Sequence, residues 1–259
     1  HSLRDRQTPG SSSSTKIKIK IKPDWGRPTG SLRTMIKNHP PTQFLADYSA
    51  GALSLAPAIS VTTHLQFCDQ CREAVSGLNA LGGELLSDCE GIEISSSLLA
   101  DTLDQLDAQL DDTPSSTVAV PDANTLADTE LANEIPDYLH KFVGRSTLNW
   151  RSLSSSVSVA PITVGETEYE LALHRIEAGG RTPIHDHQGT EVTVVLKGTF
   201  SDEQGMYHEG DFLIREAGEV HQPIAAQNES CVCLSVLSAP IKLTGIKQVL
   251  NPFMRFNPS

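Results

Sequence analysis

The stretch Gly179-Gly-Arg-Thr-Pro-Ile-His185-Asp-His187-Gln-Gly-Thr-Glu191-Val-Thr-Val-Val-Leu-Lys-Gly198 decides the fold of the second half of this chain. His185 and His187 alternate, so on a strand both imidazoles project from the same face. Glu191 follows after a short turn and can face them. A second segment, Gly210-x5-Glu216-x-Gly218-x2-His221, brings a further imidazole from a neighbouring strand. Three imidazoles and one carboxylate suit zinc, iron, manganese or nickel, and the residues alone do not select among them. Around this motif, residues 168–176, 191–196, 212–214 and 231–237 read as strands separated by Gly-rich turns. Many short strands with Gly at the turns predict a β-sandwich or barrel.

The first half of the chain carries different chemistry. His64-Leu-Gln-Phe-Cys68-Asp-Gln-Cys71 follows a pattern of His-x3-Cys-x2-Cys, with His39 upstream. On a helix spanning residues 55–68, His64 and Cys68 lie one turn apart and point the same way. Cys71 falls just past the turn that ends this helix. Two thiolates and two imidazoles suffice for a closed, tetrahedral zinc site with no position left for substrate. Such a metal holds helices together rather than doing chemistry.

Helical periodicity surrounds the cluster. Phe44, Leu45, Tyr48 and Leu53 form one apolar face ending near Gly51. Residues 54–68 form a second helix, and residues 71–86 a third whose Ala74, Val75, Leu78, Leu81 and Leu85 recur at helical spacing. Residues 95–111 form a fourth, with Leu99, Leu103, Leu106 and Leu110 on one stripe and Asp101, Asp104, Asp107 and Asp111 opposite. A few short helices bury little core, so a metal staple makes physical sense. The expected architecture is α + β in two domains. Residues 1–34 are an expression-derived or disordered extension, with Met35 as a natural start. Residues 35–111 are a small zinc-stapled helical bundle, residues 112–120 a polar linker, and residues 121–259 an all-β domain.

Composition narrows the function classes. The formal net charge is −12 over 259 residues, unevenly spread. Residues 1–34 hold eight Lys/Arg against two Asp/Glu, leaving 12 basic and 30 acidic residues, net −18, for the remainder. An acidic body argues against direct nucleic-acid binding and fits a basic protein partner. No apolar run is long enough to span a membrane. Five cysteines with no recognisable secretory leader read as metal ligands or reduced thiols rather than a disulfide framework, which predicts a cytoplasmic protein.

The two histidine-bearing segments of the second half match the signature motifs of the cupin superfamily, whose fold is a double-stranded β-helix, or jelly roll. The first motif matches in full. In the second, Glu216 stands where the family usually has Pro and Ala225 where it often has Asn, while the ligand His221 is intact. A helical zinc domain followed by a cupin resembles the ChrR-type anti-sigma factors, which belong to the wider group of zinc-binding anti-sigma proteins. The resemblance rests also on Ala46-Asp-Tyr-Ser-Ala-Gly-Ala-Leu53 and Cys68-Asp-Gln-Cys-Arg72, and it runs from Met35 to about Lys247.

That resemblance implies zinc on His39, His64, Cys68 and Cys71. It also implies a second divalent metal on His185, His187, Glu191 and His221, with zinc the first choice. It further implies a helical domain that clamps an extracytoplasmic-function-type sigma factor and keeps it from core RNA polymerase. The cupin domain would be required for release in response to singlet oxygen or related oxidants, with a small oxidised molecule as a possible cupin ligand. The Leu stripe of residues 99–110, with its Asp face, reads either as a contact for a basic sigma surface or as an ordinary amphipathic helix packed on its own domain. The competing reading is a metal-dependent cupin enzyme, a dioxygenase or isomerase, with an accessory zinc domain. Against it, the sequence offers no convincing acid–base pair beyond the ligands.

Among the remaining residues, Cys231 and Cys233 alternate on one strand and face the same side, either as buried small hydrophobes or as an oxidant-sensitive pair. His174 is placed to line the barrel. His208 reads as a turn residue, Trp150 and Phe253 as packing residues, and Cys89 is assigned no role.

Overall fold

A computed structural model describes residues 36–91, 95, 97–111, 139, 148–244 and 258, without side-chain detail for 107–111. The extension, the linker, Phe253 and the side chain of Leu110 lie outside the described residues. Four helices come first: α1 (Thr42–Ser49), α2 (Leu55–Phe67), α3 (Asp69–Ser87) and α4 (Leu98–Asp111). Gly51, at φ 67°, takes the left-handed conformation that terminates α1 without a Cβ penalty.

Among the described residues eleven strands follow: β1 (Arg151–Ser152), β2 (Val157–Ile162), β3 (Glu170–Ile176), β4 (His185–His187), β5 (Glu191–Lys197), β6 (Thr199–Asp202), β7 (Gly205–His208), β8 (Phe212–Arg215), β9 (Ile224–Ala225), β10 (Cys231–Leu237) and β11 (Ile241–Leu243). The largest sheet runs β1-β2-β3-β10-β5-β8 and is antiparallel throughout. Smaller sheets pair β11 with β4 and order β7-β6-β9. This is the all-β cupin expected from the motifs. Residues 157–162 form a strand that the sequence reading passed over; Pro161 within it masked the signal.

The β10 strand is buried along its whole length, which explains its unbroken apolar run. Its two faces do different work, because side chains alternate along a strand. Val232, Leu234 and Val236 join Leu171, Leu173, Val192 and Val194 in a cluster that continues into the helices through Leu45, Ala56, Ile59, Val61 and Leu65. Cys231 and Cys233 face the barrel interior with Ile176, Val195, Phe200, Tyr207 and Leu213. The central sheet thus has helices on one face and the barrel lumen on the other.

Helix α2 lies at the centre of this arrangement. Ala56, Pro57, Ile59, Ser60, Val61, Thr63, His64 and Leu65 are all buried, so it is covered on most of its circumference. Its buried hydroxyls are satisfied locally, Ser60 donating to the Pro57 carbonyl and Thr63 to that of Ile59. Pro57 sits in the first turn, where no intrahelical N–H is needed. The end of the third helix and the whole described fourth helix lie outside the core. Leu81 and Leu85 follow the helical period but are exposed, as are Leu86, Leu98, Leu99, Leu103 and Leu106. Periodicity identified their face correctly; what the sequence alone did not reveal is that nothing in the described chain covers it.

Removing a side chain from the shared core should therefore cost far more than removing one from α4. Leu234→Ala is expected to lower the unfolding free energy by roughly 2–5 kcal/mol. Leu99→Ala should change it by less than about 0.5 kcal/mol. Urea titrations of both variants measure the difference; equal losses would place α4 within the core.

Candidate metal centres

The chain places His39, His64, Cys68 and Cys71 together, with one ligand atom from each lying within 4.8 Å of the others. His64 comes from the last turn of α2 and Cys71 from the first turn of α3. Cys68 sits at the junction and caps α3, its Sγ accepting from the Cys71 N–H at 3.3 Å. His39 reaches in from the segment before α1, with Nδ1 3.4 Å from both sulfurs. A metal held by all four would tie together two helices, their junction and the entering chain.

The tautomer of His64 can be assigned from its neighbours. Its Nδ1 lies 2.7 Å from the carbonyl oxygen of Gly210. A carbonyl only accepts, so Nδ1 carries the proton and Nε2 presents a lone pair. That Nε2 is buried without a hydrogen-bond partner among the described residues. An orphaned lone pair beside two thiols and an imidazole is the donor set a zinc ion takes. Burial, followed by the neighbouring Cys68, pushes the Cys71 thiol up to about 12. It is neutral near pH 7 without a cation, and a metal must displace its proton.

The second cluster combines His185 and His187 of β4 with Glu191 at the start of β5 and with His221. His221 lies outside the named strands and forms a single antiparallel bridge with His185, with backbone hydrogen bonds in both directions. His185 Nδ1 donates to the Pro183 carbonyl at 2.9 Å, and His221 Nδ1 donates to Asp202 Oδ2 at 3.0 Å. Their Nε2 atoms consequently meet lone pair to lone pair at 3.0 Å. Two lone pairs this close repel unless a cation or proton lies between them. The His187 Nε2 is 3.1 Å from that of His221 and 3.4 Å from Glu191 Oε2. The donors fit a divalent metal.

Electrostatics point the same way. Burial lowers the basicity of His174, His185 and His187, favouring the neutral imidazole that ligation requires. For Glu191 burial acts upward, yet His187, His185, His221 and His174 together hold the carboxyl below its usual range.

Asp202, Tyr207 and Arg215 support this centre and were missed by sequence reasoning. The Asp202 carboxylate is fully buried; it accepts from His221, from Arg215 at 2.8 Å and from Tyr207 at 3.1 Å. Burial pushes its pKa up, but the His221 and Arg215 hydrogen bonds outweigh this and leave it well below the ordinary value. In the sequence Asp202 reads as a turn residue before Gly205, and nothing in its spacing to His221 marks the contact. Beside the metal ligands is a cavity of about 110 Å³, lined by His174, Thr193, Phe200, Cys233, Ser235 and Leu237 among others. His174 does line the barrel, as expected. Cys231 and Cys233 also share the interior, with their sulfurs 3.6 Å apart. The Cys233 thiol is held far above its ordinary value, first by the hydrogen bond with Cys231 and then by burial.

The profile of the ChrR cupin-like domain family matches residues 140–239. The anti-sigma-E factor ChrR of Cereibacter sphaeroides is 33% identical over 223 residues, covering 85% of this chain and 99% of that protein. The chain belongs to the ChrR anti-sigma factor family. The crystal structure of Rhodobacter sphaeroides SigE in complex with the anti-sigma ChrR matches with a TM-score of 0.63 at 31% identity. The match covers 78% of this chain and 99% of the ChrR-complex chain. ChrR membership accounts for helices and cupin in one chain, an order that a free-standing cupin enzyme does not need.

Two measurements test the centres. Asp202→Asn keeps the shape but removes the carboxylate charge beside His221, and should weaken metal binding at the cupin roughly 10- to 100-fold in chelator competition. Unchanged affinity would mean that the backbone bridge alone holds His221. For the metal-free protein, pH provides the second test. His64 is lowered by burial from 6.5 to about 4, so the unfolded chain takes up its proton first. The stabilisation is present above 6.5 and is lost as pH falls toward about 4. Urea midpoints of the apo protein should fall across that window, and a flat profile would contradict a buried neutral His64.

Proposed function

We propose that this chain is a cytoplasmic anti-sigma factor. Its helical part binds an extracytoplasmic-function-type sigma factor and withholds it from core RNA polymerase. Zinc on His39, His64, Cys68 and Cys71 holds that part in its binding shape. A divalent metal on His185, His187, Glu191 and His221, zinc being the first choice, equips the cupin to trigger release when singlet oxygen or related oxidants appear. The observation that carries the reading is the likeness, over 78% of this chain and 99% of the other, to a ChrR solved in complex with SigE.

The exposed leucines support it. Every described side chain of α4 is exposed, with Leu99 at 71%, and the end of α3 presents Leu85 at 62% and Leu86 at 74%. Two amphipathic helices with bare apolar stripes are a poor arrangement in water and a good one for enclosing a partner. Asp101 and Asp104 make the face of α4 opposite its leucine stripe acidic, which suits a basic sigma surface. No helix among the described residues is long and apolar enough to cross a membrane.

When bound, the first metal supplies cross-linking rather than reactivity, because all of its positions would be taken by protein. At the second site burial keeps His185 and His187 neutral, Asp202 fixes the His221 ring, and an apolar cavity lies next to them. A small oxidised molecule could bias the cupin there only by binding the releasing state better than the inhibiting one.

Co-purification with the cognate sigma factor, with metal assayed on the same sample, is the direct test. An equimolar, zinc-containing complex is expected. Cys68→Ser should lose one metal equivalent and the sigma factor with it, and the double variant Leu85→Asp/Leu99→Asp should keep the metal but lose the sigma factor. His187→Ala should bind the sigma factor normally and blunt oxidant-triggered release. A metal-bearing protein that captures no sigma factor would turn attention to oxygen consumption by the cupin.

A further inference from the structure

The N-terminal metal cluster is not built by the helices alone. The turn between β7 and β8, residues 209–211, reaches out of the barrel and contacts the chain beside both histidine ligands. On one side, the Gly210 carbonyl takes the Nδ1 proton of His64 at 2.7 Å. On the other, Asp211 Oδ1 accepts from the backbone N–H groups of Lys37 and Asn38, each at 2.9 Å. These are the two residues before His39 in the segment that delivers it. The Phe212 N–H adds a bond to the Asn38 carbonyl at 3.0 Å. The Phe212 ring stands edge-on to His64, with centroids 5.7 Å apart.

The turn is built for close approach. Gly210 has φ 89°, and a Cβ there would lie 2.7 Å from Ile36 and 2.8 Å from Phe67. Asp211 is 1% exposed, and its second oxygen accepts from the His208 N–H at 2.8 Å. A buried carboxylate with three backbone donors is a fully satisfied anchor, not a solvated loop residue. The turn is tied in turn to β5: Gly210 donates to the Val195 carbonyl and Val195 to that of Asp211. The same β5 begins at Glu191, in the cupin cluster.

We propose that Asp211 and the Gly210 carbonyl are positioning groups for the N-terminal zinc site, so that the cupin supplies the shell around a metal whose four ligands all lie in the helical part. Gly210 selects the His64 tautomer that leaves Nε2 free for the metal. Asp211 holds residues 37–38 so that His39 enters the cluster. The proposal rests on the ligand assignment above but not on sigma binding. It implies that β5 joins the two metal centres mechanically, through contacts no longer than a few hydrogen bonds.

The test uses the full chain stripped of metal and titrated with zinc against a chromophoric chelator. Asp211→Asn is nearly isosteric but loses the charge, and its amide cannot satisfy all three N–H donors. It should weaken the N-terminal site roughly 10- to 100-fold while the cupin site keeps its wild-type affinity. In the cobalt-substituted protein the thiolate-to-metal and d–d bands of the N-terminal site should shift. Leu234→Ala, which destabilises the shared core without touching the turn, controls for general loosening and should leave both affinity and bands unchanged. Zinc affinity in Asp211→Asn within about twofold of wild type, with an unaltered cobalt spectrum, would overturn the proposal. So would an equal loss in Leu234→Ala, since the effect would then be stability alone. A wild-type chain with no metal at this cluster would overturn the ligand assignment as well, and that is seen before any variant is made. If Asp211→Asn misfolds, as read by loss of the cupin metal, Asp211→Glu and amide exchange at Lys37 and Asn38 answer the same question. Faster exchange there with weaker zinc supports the anchor, and unchanged exchange refutes it.

Discussion

His64 has to satisfy two ring nitrogens while wholly buried, and the two demands come from different parts of the chain. Its Nδ1 is bonded to Gly210 of the barrel, and its Nε2 faces the thiols and His39. Leaving either unsatisfied in an apolar interior would cost of the order of 1–3 kcal/mol. Helix α2 is therefore held in register on both sides. Its apolar residues pack on the outer face of the cupin sheet, and its histidine completes a ligand set with the neighbouring helix. Much else follows from this placement, including why α2 carries no Asp, Glu, Lys or Arg and why the β7–β8 turn needs a glycine.

The cupin sheet separates two kinds of chemistry by the simplest device a strand has. Outward residues of β3, β5 and β10 are aliphatic and bind the helices. Inward residues include His174, Glu191, Thr193, Cys233 and Ser235, next to the metal ligands and the cavity. A shift of one residue in register would exchange these sets, so the pairing is strongly specified. Within the barrel, the ligand His221 is oriented by a carboxylate that is itself held by Arg215 and Tyr207, an arrangement that maintains one tautomer and a fixed ring plane.

Function arises from what the fold leaves uncovered as much as from what it buries. Leu81, Leu85 and Leu86 of α3 and Leu99, Leu103 and Leu106 of α4 obey the same periodicity as core residues, yet they are bare. Fold alone would not identify a role, since cupins serve many. What bears on its role is membership of the ChrR family, this exposed surface and two clusters able to hold a metal.

Sequence by itself picked out the two candidate quartets that the fold brings together, the cupin topology class and the helical character of much of residues 42–111. Each depends on local spacing: His-x-His on a strand, His-x3-Cys across one helical turn, and Leu at helical period. It also made family membership legible through residues that stand close together in the chain. Tertiary structure decided the rest, because the deciding contacts join residues far apart with no periodic signature. Asp202 reaches His221 only once β6 lies against the segment after β8, and Asp211 meets Lys37 and Asn38 across most of the chain. Exposure of Leu85 and Leu99 was likewise beyond local pattern, since periodicity says which residues share a face and only packing says whether anything covers it.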